Sequence, residues 1–316
     1  MLVVRLKTFS NKKKKGNEEE GKGAAMIAGG VGGVIGGSKL GDKITEKGAD
    51  GLLYSKLTAK DKDAVKETLL KKAKKQGIKV IESKEMNNSV YTGSPIGKGV
   101  RKAVAWGAKK LRKSGKGNEA KQLIDGISEG VESQLGDKRV FQSLGKDRVI
   151  LGHGNLADTD VLAHELGHAQ YLKKGRSKSL IGKAAHKIMP VSSLSATKVG
   201  QVGALVHGVR AGINNERKKQ EGKKVGKWDK VKSVAVPTAL AAPLLIAEGK
   251  ASLNGLKAMK KAGASKELLS QSRKILGSAW STYAGQASKN VAAGGGGELI
   301  GRGYAKMTKK KEDNKK

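Results

Sequence analysis

The chain has 316 residues, with 64 lysines and arginines against 28 aspartates and glutamates, a formal net charge of +36. The absence of cysteine excludes a disulfide framework and any thiolate metal site, and 3% aromatic content supplies little for base-stacking platforms. A field this positive attracts polyanions such as nucleic acid or anionic lipid, mostly without sequence specificity.

Residues 1–22 read as a flexible charged arm, whose polar sequence with Glu18, Glu19 and Glu20 gives no convincing cleavable signal. Residues 23–58 form a glycine-zipper segment. Gly29, Gly33 and Gly37, spaced by four, predict a helix face that another backbone can approach, a route to self-association. Its uncharged run, 23–38, is shorter than the ~20 residues of a spanning helix.

Residues 59–147 read as an α+β region. An exposed amphipathic helix is expected over 59–75, with strands at 78–83 and 89–93. A basic stretch around Trp106 follows, then a helix over 117–136 with its stripe at Leu123, Ile124, Ile127, Val131 and Leu135. "RVILG" (148–152) is a further strand and opens a region reaching residue 290, interrupted by a basic insert at 214–232. Residues 291–316 are a Gly-rich and Lys-rich tail. The fold class expected is mainly α with a small β-sheet (α+β).

"VLAHELGHAQY" (161–171) carries His164, Glu165 and His168 as H-E-x-x-H. Asp158, Thr159 and Asp160 can cap a helix there, and Lys173, Lys174, Gly175 and Arg176 mark its end, so the helix is expected independently of the motif. Residues four apart share a helix face, so two imidazoles can meet one ion while Glu165, one step round, stands beside it as proton acceptor and donor. The bland alternative is two histidines on an ordinary helix. Lys174 and Tyr171 occupy the positions where a metzincin has histidine and glycine, which excludes that class.

A third ligand must come from elsewhere. Glu248 ends the charge-free run 233–247, where burying a carboxylate requires a compensating cation. Ser252, one turn on, could support a ligand by hydrogen bonding. Glu216, in "NNERKKQEGKK", is a weaker rival in what reads as an exposed basic loop. His153, His186 and His207 show no ligand spacing, and "LGHGN" could end an edge strand on which a peptide adds.

The order of "VILG…VLAHELGHAQ", "IMPVSSLS", "VPTALAAPLLIAEGKASLNGLKAMKKAG" and "LLSQSRKILGSAWSTYAGQA", over roughly 148–288, resembles the bacterial membrane-associated neutral zinc metallopeptidases of the glutamate-zincin type. That resemblance implies a zincin-like catalytic core. It further implies Zn2+ bound by His164, His168 and Glu248, Glu165 as base and acid, Ser252 in the subgroup with E-x-x-A-S, and a protein or peptide substrate. Tyr283, in "WSTYAGQ", would stabilise the oxyanion if its helix packs over the ion.

Two functions compete. One is a zinc metalloendopeptidase. The other is a basic structural or delivery protein, membrane-associated or packaged in a virion, which binds nucleic acid or anionic lipid and whose zinc helix is accessory or inactive.

Overall fold

Small residues decide how the helices of this chain approach one another. The computed structural model describes residues 18–53, 57–86, 89–93, 95–135, 137, 139–152, 158–174 and 198–313. His153, His186, the "IMPVSSLS" segment and residues 1–17 lie outside the described residues. The fold is mainly α with a three-stranded mixed sheet. In chain order come α1 (Glu18–Leu53), α2 (Lys62–Lys75), β1 (Lys79–Glu82), β2 (Val90–Tyr91), α3 (Pro95–Lys113) and α4 (Gly117–Leu135). There follow α5 (Arg139–Ser143), β3 (Arg148–Leu151), α6 (Thr159–Lys174), α7 (Lys198–Gln220), α8 (Lys227–Lys261) and α9 (Lys266–Asp313).

Packing divides the chain into two units. One comprises Met1–Ser38, Gln201–Pro237 and Asn290–Lys316; the other comprises Lys39–Gly200 and Thr238–Lys289. The break between Lys289 and Asn290 falls within one residue of the composition boundary at 290, whereas those at 22, 58 and 147 have no counterpart, because each unit assembles helices distant in sequence. Residues 18–22 begin α1, and most of the Gly-rich tail is the second half of α9.

In the first unit the glycines of α9 face three different neighbours. Gly294 lies against the Ser233 carbonyl of α8, Gly296 against Gly30 of α1, and Gly297 and Gly301 against the Leu205 and Val209 carbonyls of α7. A Cβ at any of these four would overlap backbone atoms, which explains why "GGGG" stays helical despite its entropic cost. Pro237 removes the donor that would bond the Ser233 carbonyl, the group on which Gly294 sits. On α1 the close face carries Gly30 and Gly37, which meet Gly296 and Ala292, whereas Gly29 has open space around it. Gly33 also reaches Gly296, a Cβ there standing 3.9 Å from its Cα, so Gly33 and Gly37 of the step of four face α9 while Gly30 takes the place of Gly29. The basic stretch 214–232 ends α7, turns at Gly222 (φ 70°) and starts α8. There Lys218 and Lys232 each donate to Asp229 at 2.7 Å and hold its carboxyl at about 2. A buried polar knot joins Glu298 to Ser233, Asn215 and Arg302.

In the second unit β3 is the central strand, parallel to β1 and antiparallel to β2. An edge strand leading into "LGHGN" is therefore not what forms: Arg148–Leu151 is paired on both sides, and 153–157 lie outside the described residues. The core joins Val65, Leu69 and Ala73 of α2, Val149 and Leu151 of β3, and Leu162, Leu166 and Ala169 of α6 to Met259 of α8 and Leu268 of α9. Gly263 (φ 90°) closes α8, with the Ala264 N–H donating to the Met259 carbonyl at 3.1 Å, a C-terminal cap of Schellman form. Ser265 then caps α9, its hydroxyl accepting from the Leu268 N–H, and Asp61 accepts from both the N–H and the hydroxyl of Ser265. Among the described helices α8 alone is long and apolar enough to cross a membrane, by length and composition only.

Candidate metal centre

The motif helix α6 starts where the Leu162 N–H donates to the Asp158 carbonyl, and the Thr159 hydroxyl ties that end to the Lys62 carbonyl at 2.8 Å. Leu162, Ala163, Leu166 and Ala169 bury one face in the core. His164 and His168 lie on the adjoining face, one turn apart, with edge-on rings whose centroids are 4.6 Å apart. The same helix buries Asp160, one turn before His164. Burial first, and the charge of Asp158 with it, push its carboxyl up to about 6 against backbone hydrogen bonds that favour the anion. That carboxyl was expected only as part of an N-cap.

Glu248 lies inside the 35-residue α8. Two glycines bring that helix to α6. The backbone around Ala251 of α8 occupies the space that a Cβ on Gly167 would need. One turn away, a Cβ on Gly255 would stand 2.8 Å from the Ala163 carbonyl oxygen. The helices thus touch backbone to backbone at Gly167–Ala251 and Ala163–Gly255, closer than larger side chains allow. Gly167, inside the motif itself, is a thin point on α6. The matching Gly255 was missed, although its spacing of four from Ala251 repeats that of Ala163 and Gly167.

This contact places Glu248 opposite both histidines. Its Oε2 lies 3.2 Å from His164 Nε2 and 3.4 Å from His168 Nε2, and the two Nε2 atoms are 3.1 Å apart. The three residues form the one group of His, Asp and Glu, among the described residues, that could hold a metal ion. Burial alone would raise the Glu248 carboxyl, but hydrogen bonds and charge from His164 and His168 overcome it and hold it at about 2. Burial lowers His168, and the hydrogen bond and charge of Glu248 reverse this, leaving its pKa raised. The carboxylate and the imidazoles therefore share a demand for positive charge at one point.

A tetrahedral ion with bonds of about 2.0–2.1 Å requires ligand atoms about 3.3–3.4 Å apart. The observed triangle of 3.1, 3.2 and 3.4 Å fits zinc, and two nitrogens with one carboxylate oxygen suit that ion. Ser252 stands where it was expected, its Oγ 3.1 Å from His164 Nδ1. With the Nδ1–H donating to that hydroxyl, the Nε2 lone pair points at the centre. Ser252→Ala should therefore weaken metal binding by about 10-fold without unfolding the protein, measured by competition with a chromogenic chelator.

Glu165 is 8% exposed and, among the described residues, makes no hydrogen bond or ion pair. Tyr283 of α9 comes within electrostatic reach of Glu248 and Glu165. Burial first, then those two charges, raise its phenol well above the usual range, so it stays protonated.

The remaining candidates fall elsewhere. Glu216 belongs to the first unit and is buried on α7 rather than exposed in a loop, facing Lys306 at 3.7 Å and Lys219 at 4.0 Å. His207 is on α7, its Nε2 3.2 Å from the Lys232 carbonyl oxygen. Comparison of the chain with protein-family models, with curated proteins and with solved structures finds no match.

Proposed function

We propose that the chain is a zinc-dependent metalloendopeptidase that hydrolyses peptide bonds. The observation that carries this reading is the triangle of His164, His168 and Glu248. Support comes also from the buried Glu165 carboxylate, to which no described residue hydrogen-bonds, and from the motif order that resembles the glutamate zincins. Zinc held there would act as a Lewis acid that polarises a carbonyl and acidifies water. Glu165 takes the proton from the attacking water and delivers it to the leaving amine. Ser252 orients His164 through Nδ1, which keeps its other nitrogen directed inward. Tyr283, kept protonated, donates a hydrogen bond to the developing oxyanion.

The experiment is metal content joined to cleavage. Purified protein should hold about one zinc per chain and cleave casein; a chelator should abolish both, and added zinc should restore both. Glu248→Ala should lose the ion. Full zinc content in that variant would remove Glu248 from the ligand set, and zinc-loaded protein inert toward casein and a mixed peptide library would overturn the peptidase reading.

A further inference from the structure

The α3–α4 hairpin of the second unit carries a charge distribution that the metal centre does not use. Helix α3, PIGKGVRKAVAWGAKKLRK, holds seven cations and no acid. At 3.6 residues per turn, Lys98, Arg101, Lys102, Lys109, Arg112 and Lys113 fall within an arc of about 120°. All six are exposed, and none forms an ion pair among the described residues. Flanking the arc, Val104 and Ala108 are buried, and opposite it Gly107 lies against Leu123 of α4. Trp106, 67% exposed, stands at the edge of the basic stripe with the Lys110 ammonium 5.3 Å from its ring centre.

A merely solvated helix surface mixes signs. Here the signs are segregated: α4 carries Glu119, Asp125, Glu129 and Glu132, yet no described ion pair crosses the hairpin. Seven cations on one short helix repel one another, and a bound polyanion would relieve that repulsion.

The packing also says which polyanion. An interfacial membrane helix must lay its apolar face in lipid. The buried apolar side chains of α3 are committed to α4, and apart from Trp106 what the helix offers outward is charge. The stripe runs about 22 Å along the axis, and its two adjacent pairs, Arg101/Lys102 and Arg112/Lys113, are about 16 Å apart. That separation reaches both phosphate rims of a major groove about 12 Å wide. Beside the stripe, Ala105, Ala108 and Ile124 floor a groove of about 630 Å³ with Lys109, Arg112 and Lys113 on its rim.

We propose that the outward face of α3 is a docking surface for duplex nucleic acid, which it holds through backbone phosphates without reading sequence. This surface is independent of the metal centre. The test uses the full chain and a fluorescent duplex of about 24 base pairs, with anisotropy read over a salt series. One variant carries Lys102→Gln, Lys109→Gln, Arg112→Gln and Lys113→Gln. The control removes the same charge from exposed lysines elsewhere, Lys74→Gln, Lys75→Gln, Lys260→Gln and Lys261→Gln.

The α3 variant should bind about 100-fold more weakly at 0.1 M salt, with a log–log salt slope shallower by about 3, while the control stays within about 3-fold of wild type. Equal losses in the two variants, or no loss in the α3 variant, would overturn the proposal. So would loss of binding to phosphatidylglycerol vesicles with duplex binding intact. A second measurement needs no variant: in the wild-type chain the duplex should protect Lys102, Lys109 and Lys113 from acetylation more than Lys74, Lys75, Lys260 and Lys261. Equal protection would likewise overturn it. Zinc content, read on the same samples, should not change.

Discussion

Glu165→Gln should leave zinc content unchanged and lower the rate of peptide cleavage by about 10²- to 10⁴-fold, the range that a positioned general base supplies. The substitution changes almost nothing but proton affinity. Glutamine has the same shape, and no described hydrogen bond or ion pair of Glu165 would be lost. The three candidate ligand atoms belong to other residues, so an ion there should be held as before. The buried carboxylate also adds to the negative potential that raises His168. Removing that charge should weaken the preference of the centre for a cation only modestly, because the hydrogen-bonded Glu248 acts more strongly than Glu165 on His168. Metal titration, thermal unfolding and single-turnover cleavage on the same preparation separate the outcomes. Unaltered cleavage would move the base to another group and overturn this role for Glu165. Loss of zinc in step with activity would make Glu165 a determinant of binding instead.

The sequence carried the local part of this site and only half of the long-range part. Each of the three strands and the helices over 59–75 and 117–136 follow from periodicity, because side-chain burial on a single element repeats at its own period. The helix under H-E-x-x-H follows instead from the start and stop residues that flank it. Glu248 was legible because a lone carboxylate after fifteen uncharged residues is costly without a partner. What periodicity cannot show is which backbones touch. The pairs Gly167–Ala251 and Ala163–Gly255 join positions 84 and 92 residues apart, and small residues alone do not name their partners. The same limit explains the glycine zipper. Several phases of Gly29, Gly30, Gly33 and Gly37 are equally glycine-rich, and only the neighbouring α9 selects the face with Gly30, Gly33 and Gly37 and leaves Gly29 open. Strand order was hidden too, since a four-residue apolar strand reads alike at the centre or the edge of a sheet.

The closeness of that helix contact makes Gly167→Ala the second large effect. In an open helix, glycine to alanine stabilises by up to about 1 kcal/mol. At Gly167 the added Cβ would overlap the backbone of Ala251, three residues beyond Glu248 on α8. Relief requires α8 to withdraw from α6, and the side chains that meet across the contact withdraw with it. The ligand triangle, now 3.1 to 3.4 Å on each side, then opens on the Glu248 edges. Zinc affinity should fall by at least 100-fold and the apo protein should lose about 1–3 kcal/mol of stability, the usual cost of overpacking. Gly126→Ala is the matched control, because a Cβ there meets nothing within 4 Å; it should leave metal binding untouched and stability equal or higher. Gly255→Ala, where the approach is 2.8 Å, should fall between the two. Wild-type zinc affinity in Gly167→Ala would show that the centre tolerates a wider spacing, and the glycine contact would then not be what sets the ligand distances.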